Sequence, residues 1–118
     1  MANIQRFHVG ARLSETAVHN GTVYLAGQVP DDLSKDIKGQ TAEVLGMVER
    51  LLLEAGSDKS RILMAQIFLK DISEIGDMNT VWDAWIPAGN TPPRATVQAL
   101  MAKAEYRIEI VVTAAQTA

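Results

Sequence analysis

The chain has 118 residues, 47% of them hydrophobic and 21% charged, with 11 Lys/Arg against 14 Asp/Glu for a net charge of −3. These are the proportions of one globular domain. The basic residues are scattered from Arg6 to Arg107, which argues against a nucleic-acid footprint or an anionic membrane surface. There is no cysteine, so disulfides, iron–sulfur clusters, zinc ribbons and thiol catalysis are excluded.

The opening stretch MANIQRFHVGARLSET has no apolar core of signal-peptide length. No run approaches the ~18 apolar residues of a membrane helix. A soluble, cytoplasmic protein with no membrane partner is the expectation.

The first clear element is TAVHNGTVYLAG. Asn20-Gly21 between apolar runs predicts a two-residue type I′ hairpin, because both turn residues accept positive φ. His19 then faces Thr22 and Val18 faces Val23. Alternation puts Val18, Val23 and Leu25 on one side, and Ala17, His19, Thr22, Tyr24 and Ala26 on the other. VPDDLSKD follows as a loop. Asp36 is a candidate N-cap for a helix from about Ile37 to Ala55, where Val44, Leu45, Val48, Leu51 and Leu52 recur at helical spacing. Gly56 fits the position just past its end.

RILMAQIFLK, Arg61 to Lys70, reads as a strand. Ile62, Met64 and Phe68 share one side; Leu63, Ala65, Ile67 and Leu69 share the other. Both sides are apolar, which predicts burial on both. A second helix is expected from about Ser73 to Trp85, with Met78, Val81, Trp82 and Trp85 as its apolar stripe. Pro87 and Gly89-Asn90 end it. Strands over Arg94–Met101 and Tyr106–Thr113 complete the chain, the last with Ile108, Ile110 and Val112 on one face. The order predicts an α+β fold: a mixed sheet with two helices on one face. The other face needs a cover, and further copies of the same chain are the simplest source.

Among side chains that could carry chemistry, His8 and His19 fall on different elements and read as edge or solvated histidines rather than metal ligands. Met64, Met78, Trp82 and Trp85 read as core. Asp31, Asp32, Asp71 and Asp77 read as loop and cap residues. No phosphate-binding glycine loop, nucleophile elbow or HExxH pattern is present. Two charges stand out. Glu109 lies mid-strand between isoleucines, where a carboxylate must be paired, solvated or used. Arg94 follows Pro92 and Pro93, which fix the backbone from which its side chain starts. A salt bridge from Glu109 to Arg107 or Arg94, and an ordinary strand-initiating arginine, are the plain alternatives.

VYLAGQVP, LLLEAGSDKSRI, IFLKDISEIGDMNTVWDAW, PPRATVQA and YRIEIVVTA occur in this order. With them the chain resembles the RidA/YjgF family of reactive-intermediate (imine/enamine) deaminases, from about Val18 to Ala115. The resemblance implies a chorismate-mutase-like fold and a homotrimer with clefts between adjacent subunits. It implies hydrolysis of 2-imino or enamine acids to 2-keto acids and ammonia, without cofactor or metal. Arg94 matches the arginine that binds the substrate carboxylate, and Glu109 the carboxylate that positions the attacking water. Thr96 stands where many members carry cysteine. The usual tyrosine aligns near Leu13, beside Ser14, and a usual serine is Ala26. Arg94, Thr96, Ala26 and Ser14 are thus the expected substrate-binding set, with Arg94 and Glu109 catalytic. A non-catalytic trimer that binds or senses small carboxylates would need Arg94 but not Glu109. An RNA-directed role, described for some members, is disfavoured by the charge distribution.

Overall fold

The computed structural model describes residues 3–117. Its strands are β1 (Gln5–Val9), β2 (Ser14–His19), β3 (Thr22–Leu25), β4 (Ile62–Leu69), β5 (Arg94–Gln98) and β6 (Ile108–Ala115). Its helices are α1 (Ile37–Glu54) and α2 (Ile75–Trp85). The strands form one six-stranded sheet in the order β1-β2-β3-β6-β4-β5. The β4–β5 pair is parallel and every other pair is antiparallel. β3-α1-β4 and β4-α2-β5 are therefore crossover units. The helices pack on each other and on the sheet around one core.

Local chemistry accounts for these elements. The hairpin forms in the expected register, Val18 opposite Val23 and His19 opposite Thr22, with Asn20 at φ +51° and Gly21 at +78°. The Asp36 carboxylate caps α1 by accepting from the Gly39 amide at 2.9 Å. Gly56 leaves the helix at φ +80°, the left-handed step that glycine makes without strain. Asp32 and Asp71 are turn residues, each accepting from the serine two positions on. Those serine hydroxyls, then the serine amides, hold both carboxyls below the usual range. Val44, Leu45, Val48 and Leu52 of α1 and Met78 and Trp82 of α2 bury against Ala65, Ile67, Leu69, Ile108, Ile110 and Val112 of the sheet.

Several expectations are corrected. β1 is an additional strand, legible only weakly because it is an edge strand with Phe7 alone half-buried. β4 carries an irregularity between Ile62 and Met64. An extra residue reverses the alternation on one side of it, so Ile62 joins the core side and Leu63 leaves it. Met64, expected in the core, is 42% exposed, and Leu63 50%. β4 is thus buried on its helix side and open on the other within one chain. A 3₁₀ turn, Ile72–Glu74, precedes α2, which begins at Ile75 rather than Ser73. β5 ends at Gln98, and β6 is shifted two residues along, to Ile108–Ala115.

Removing the α1 cap with Asp36→Ala should cost about 1 kcal/mol, the usual size of one N-cap bond. Thermal or urea unfolding would show it as a shifted midpoint with an unchanged urea slope.

Candidate active site

β5 and β6 carry the two charged residues singled out above. β5 starts where the prolines stop. Pro92 and Pro93 have no amide hydrogen to give a ladder, but the Pro93 carbonyl accepts from the Ala65 amide at 3.0 Å. Arg94 then pairs beside Ala65, Thr96 beside Ile67 and Gln98 beside Leu69. Paired residues in a sheet point to the same face, and Ala65, Ile67 and Leu69 are fully buried under the helices. Arg94 and Thr96 therefore rise on the helix side. The Arg94 guanidinium lies over the Trp82 ring, 5.2 Å from its centroid. Among the described residues Arg94 makes no ion pair or side-chain hydrogen bond, and Thr96 Oγ1 is sealed from solvent without a partner.

Glu109 lies on the opposite face. It pairs with Phe68, out of phase with the buried Ile108 and Ile110. Neither plain partner holds it: Arg107 instead donates to Glu74 Oε2 at 2.8 Å. The Glu109 carboxylate occupies the space a side chain at position 27 would need. A Cβ on Gly27 would stand 1.9 Å from Glu109 Oε2. Gly27 is held between Ala26, whose amide donates to the Glu15 carbonyl, and Gln28, which exchanges backbone hydrogen bonds with Ile110. The Gln28 side chain donates to Glu15 Oε2 at 2.7 Å and to the Ala26 carbonyl at 3.0 Å. Ser14 begins β2 next to Glu15.

The expected residues thus fall into two groups. Arg94 and Thr96 sit on the edge strand β5, facing α2. Ser14, Ala26 and Glu109 belong to the β2–β3–β6 region, with Gly27 as the floor under the carboxylate. Ser14 on β2 is four strand spacings from β5, roughly 19 Å, and Glu109 is on the other face from Arg94. One chain does not bring the groups together. Neither Arg94 nor Glu109 lines any of three cavities of about 510, 830 and 330 Å³. Gly27, Gln28 and Glu15 do line the first, together with His8 and Glu54, which are joined at 2.8 Å. Sequence reasoning missed Gly27 as the carboxylate's contact and Trp82 as the surface beneath Arg94. The signal for the first was a glycine two residues past the hairpin strand; Trp82 was readable only as core.

The family model described as "Endoribonuclease L-PSP" matches residues 3–116. The chain belongs to the YjgF/RutC (Rid) family. A RutC family protein of Haemophilus ducreyi is 46% identical over 112 residues, covering 95% of this chain and 96% of that one. The RutC family protein YoaB of Escherichia coli K12 is 44% identical over 112 residues, covering 95% and 97%. A crystal structure of a YjgF-family protein from Neisseria meningitidis superposes with a TM-score of 0.96 at 43% identity, covering 98% of this chain and 97% of that one. The six-stranded mixed sheet with two helices is thus the YjgF fold. No helix among the described residues is long and apolar enough to cross a membrane.

In this YjgF-family chain the Gly27–Glu109 contact makes a direct prediction. Gly27→Ala should fold, because the clashing atoms belong to the far end of one side chain. The Glu109 carboxylate should swing away, seen as a changed chemical shift of its carboxyl carbon by NMR; an unchanged shift would contradict the contact.

Proposed function

We propose that the chain is a deaminase of 2-imino and enamine acids, yielding 2-keto acids and ammonia, and that it works as a homotrimer. The observation that carries this reading is the pair of uncommitted charges: a guanidinium on a proline-fixed strand start and a carboxylate seated on Gly27. Among the described residues neither has a protein counter-ion. Structural charges that are half-sequestered normally find partners; these two are left for a ligand. The family membership and the resemblance set out above support the same assignment.

The chemistry suits so small a set of groups. An imine carbon is already electrophilic, so hydrolysis needs water added to C=N, a proton moved and ammonia expelled. Arg94 holds the substrate carboxylate through two parallel hydrogen bonds, fixing both place and orientation. Glu109 orients the attacking water and accepts its proton, a step typically contributing ~10²–10⁴-fold. Thr96, beside Arg94 on the same face, offers its hydroxyl to the bound molecule. Ser14 and Ala26 complete the expected substrate-binding set, Ala26 offering only a methyl group.

Because Arg94 and Glu109 stand on opposite faces of one sheet, we assign them to one site only across two copies. A second argument comes from the open face, where Leu63, Met64, Val97 and Tyr24 are among the exposed large hydrophobic residues. Contiguous exposed apolar surface of this kind marks an association site, and a closed ring of three copies covers it without an unpaired end.

Light scattering behind size exclusion should give three times the 12.8 kDa chain mass; a monomer at micromolar concentration would remove the shared site. Arg94→Ala and Glu109→Gln should each abolish most hydrolysis of 2-iminobutanoate generated in situ. Co-refolding the two variants in equal amounts should restore about a quarter of wild-type activity, the fraction of interfaces that receive one intact Arg94 and one intact Glu109 under random assortment. No recovery would place both residues in the same chain's site. If wild type leaves the imine at its uncatalysed rate yet binds 2-ketobutanoate, the chain is a carboxylate-binding module instead.

A further inference from the structure

We propose that Asn79 of α2 is a positioning residue for the Arg94 guanidinium, acting together with the face of Trp82. The inference rests on the reading of Arg94 as the carboxylate clamp.

The seam between α2 and β5 contains a mismatch. Asn79 Oδ1 is sealed from solvent and has no hydrogen-bond partner, a state that normally costs free energy and calls for an explanation. Asn79 lies three residues before Trp82, one helical turn away, so their side chains are neighbours on the helix surface. Trp82 carries the Arg94 guanidinium on its ring. Two observations set the direction of this face. Trp85 donates to Glu49 of α1 at 3.1 Å, so that side of α2 turns to α1. Gln98 of β5 accepts from the Ile72 amide at 2.9 Å, just before α2 begins. Helical rotation then puts Asn79 on the side of α2 away from α1, toward β5. Arg94 and Thr96 are the β5 residues that rise on the helix side, and Thr96 Oγ1 is likewise sealed and unpartnered.

The α2–β5 seam therefore has an acceptor without a donor on α2 and, on β5, a guanidinium with five N–H donors and no protein acceptor among the described residues. A small adjustment of the Arg94 torsions lets one N–H donate to Asn79 Oδ1 while the ring supports the plane. Two of the four remaining N–H groups, parallel to each other, then face outward as a fork for a carboxylate. A neutral amide suits this role because it orients the cation without neutralising it. An aspartate in its place would pair with Arg94 and compete with the ligand.

The test combines a structural and a binding readout. The Arg94 Nε–H NMR signal, assigned by its disappearance in Arg94→Lys, reports guanidinium order through its exchange rate with water. Affinity for 2-ketobutanoate reports the fork. Asn79→Ala should speed Nε–H exchange and weaken 2-ketobutanoate about ten-fold or more, the scale of one hydrogen bond to a charged group. Asn79→Asp should keep the Nε–H protected yet lose the ligand more completely than Asn79→Ala. Asn79→Ser serves if the alanine variant does not fold, with the same expectation as alanine. Wild-type exchange and affinity in these variants, with or without a lowered melting temperature, would overturn the proposal. Failure of wild type to hydrolyse the imine would count against the deaminase reading alone, because the Nε–H measurement does not depend on turnover.

Discussion

Two helices can cover only one face of a six-stranded sheet, and the rest of this molecule follows from that limit. Both crossovers, through α1 and α2, return on the same side, so the buried halves of β4 and β6 look one way. Ala65, Ile67, Leu69, Ile108, Ile110 and Val112 leave no exposed apolar surface there. The opposite face keeps Phe68, Glu109 and Val97 aligned across three adjacent strands. An apolar surface with a carboxylate at its centre is a poor surface for a monomer and a good one for an assembly that needs a charge at the seam.

Alternation along the strands also separates the chemistry. A guanidinium and a carboxylate side by side on one face would form an ion pair, and neither would then be available; β4 also stands between their strands, β5 and β6. On opposite faces they stay apart, each held by a neutral contact: an aromatic face for Arg94 and a glycine for Glu109. Backbone devices aim them both. Prolines fix the start of β5, and the hydrogen bonds of Gln28 to Glu15, Ala26 and Ile110 fix the segment that carries Gly27.

The parts legible in the sequence were those governed by local rules. The Asn20-Gly21 turn, the Asp36 cap, the Gly56 stop and the alternation of Ile108, Ile110 and Val112 each follow from neighbours within a few residues. β1 was hidden because an edge strand buries little, so its residues carry no strong period. Leu63 was misplaced because one extra residue in β4 reverses alternation without leaving a compositional mark, whereas Met64 keeps its side with Phe68 and is exposed because no helix covers that side. For the site, Arg94 and Glu109 stood out as charges in unlikely surroundings. Their separation onto two faces depends on strand order and register, which no local pattern encodes. Gly27 matters through its contact with Glu109, far along the chain, and so looked ordinary.

The position of β6 has a consequence for how the chain acquires its structure. It is the last strand in chain order but sits between β3 and β4. Until it arrives, β1-β2-β3 and β4-β5 are separate ribbons, each offering an unpaired edge to any other strand in reach. Docking β6 closes both edges at once, through pairings such as Val23 with Ala114 and Leu69 with Ile108. Such long-range pairing slows folding, because much loop entropy is lost before the contacts repay it. The same strand carries Glu109. The Glu109 carboxylate thus reaches its place against Gly27 in the step that joins the two ribbons, so a chain that has not closed its sheet lacks that contact.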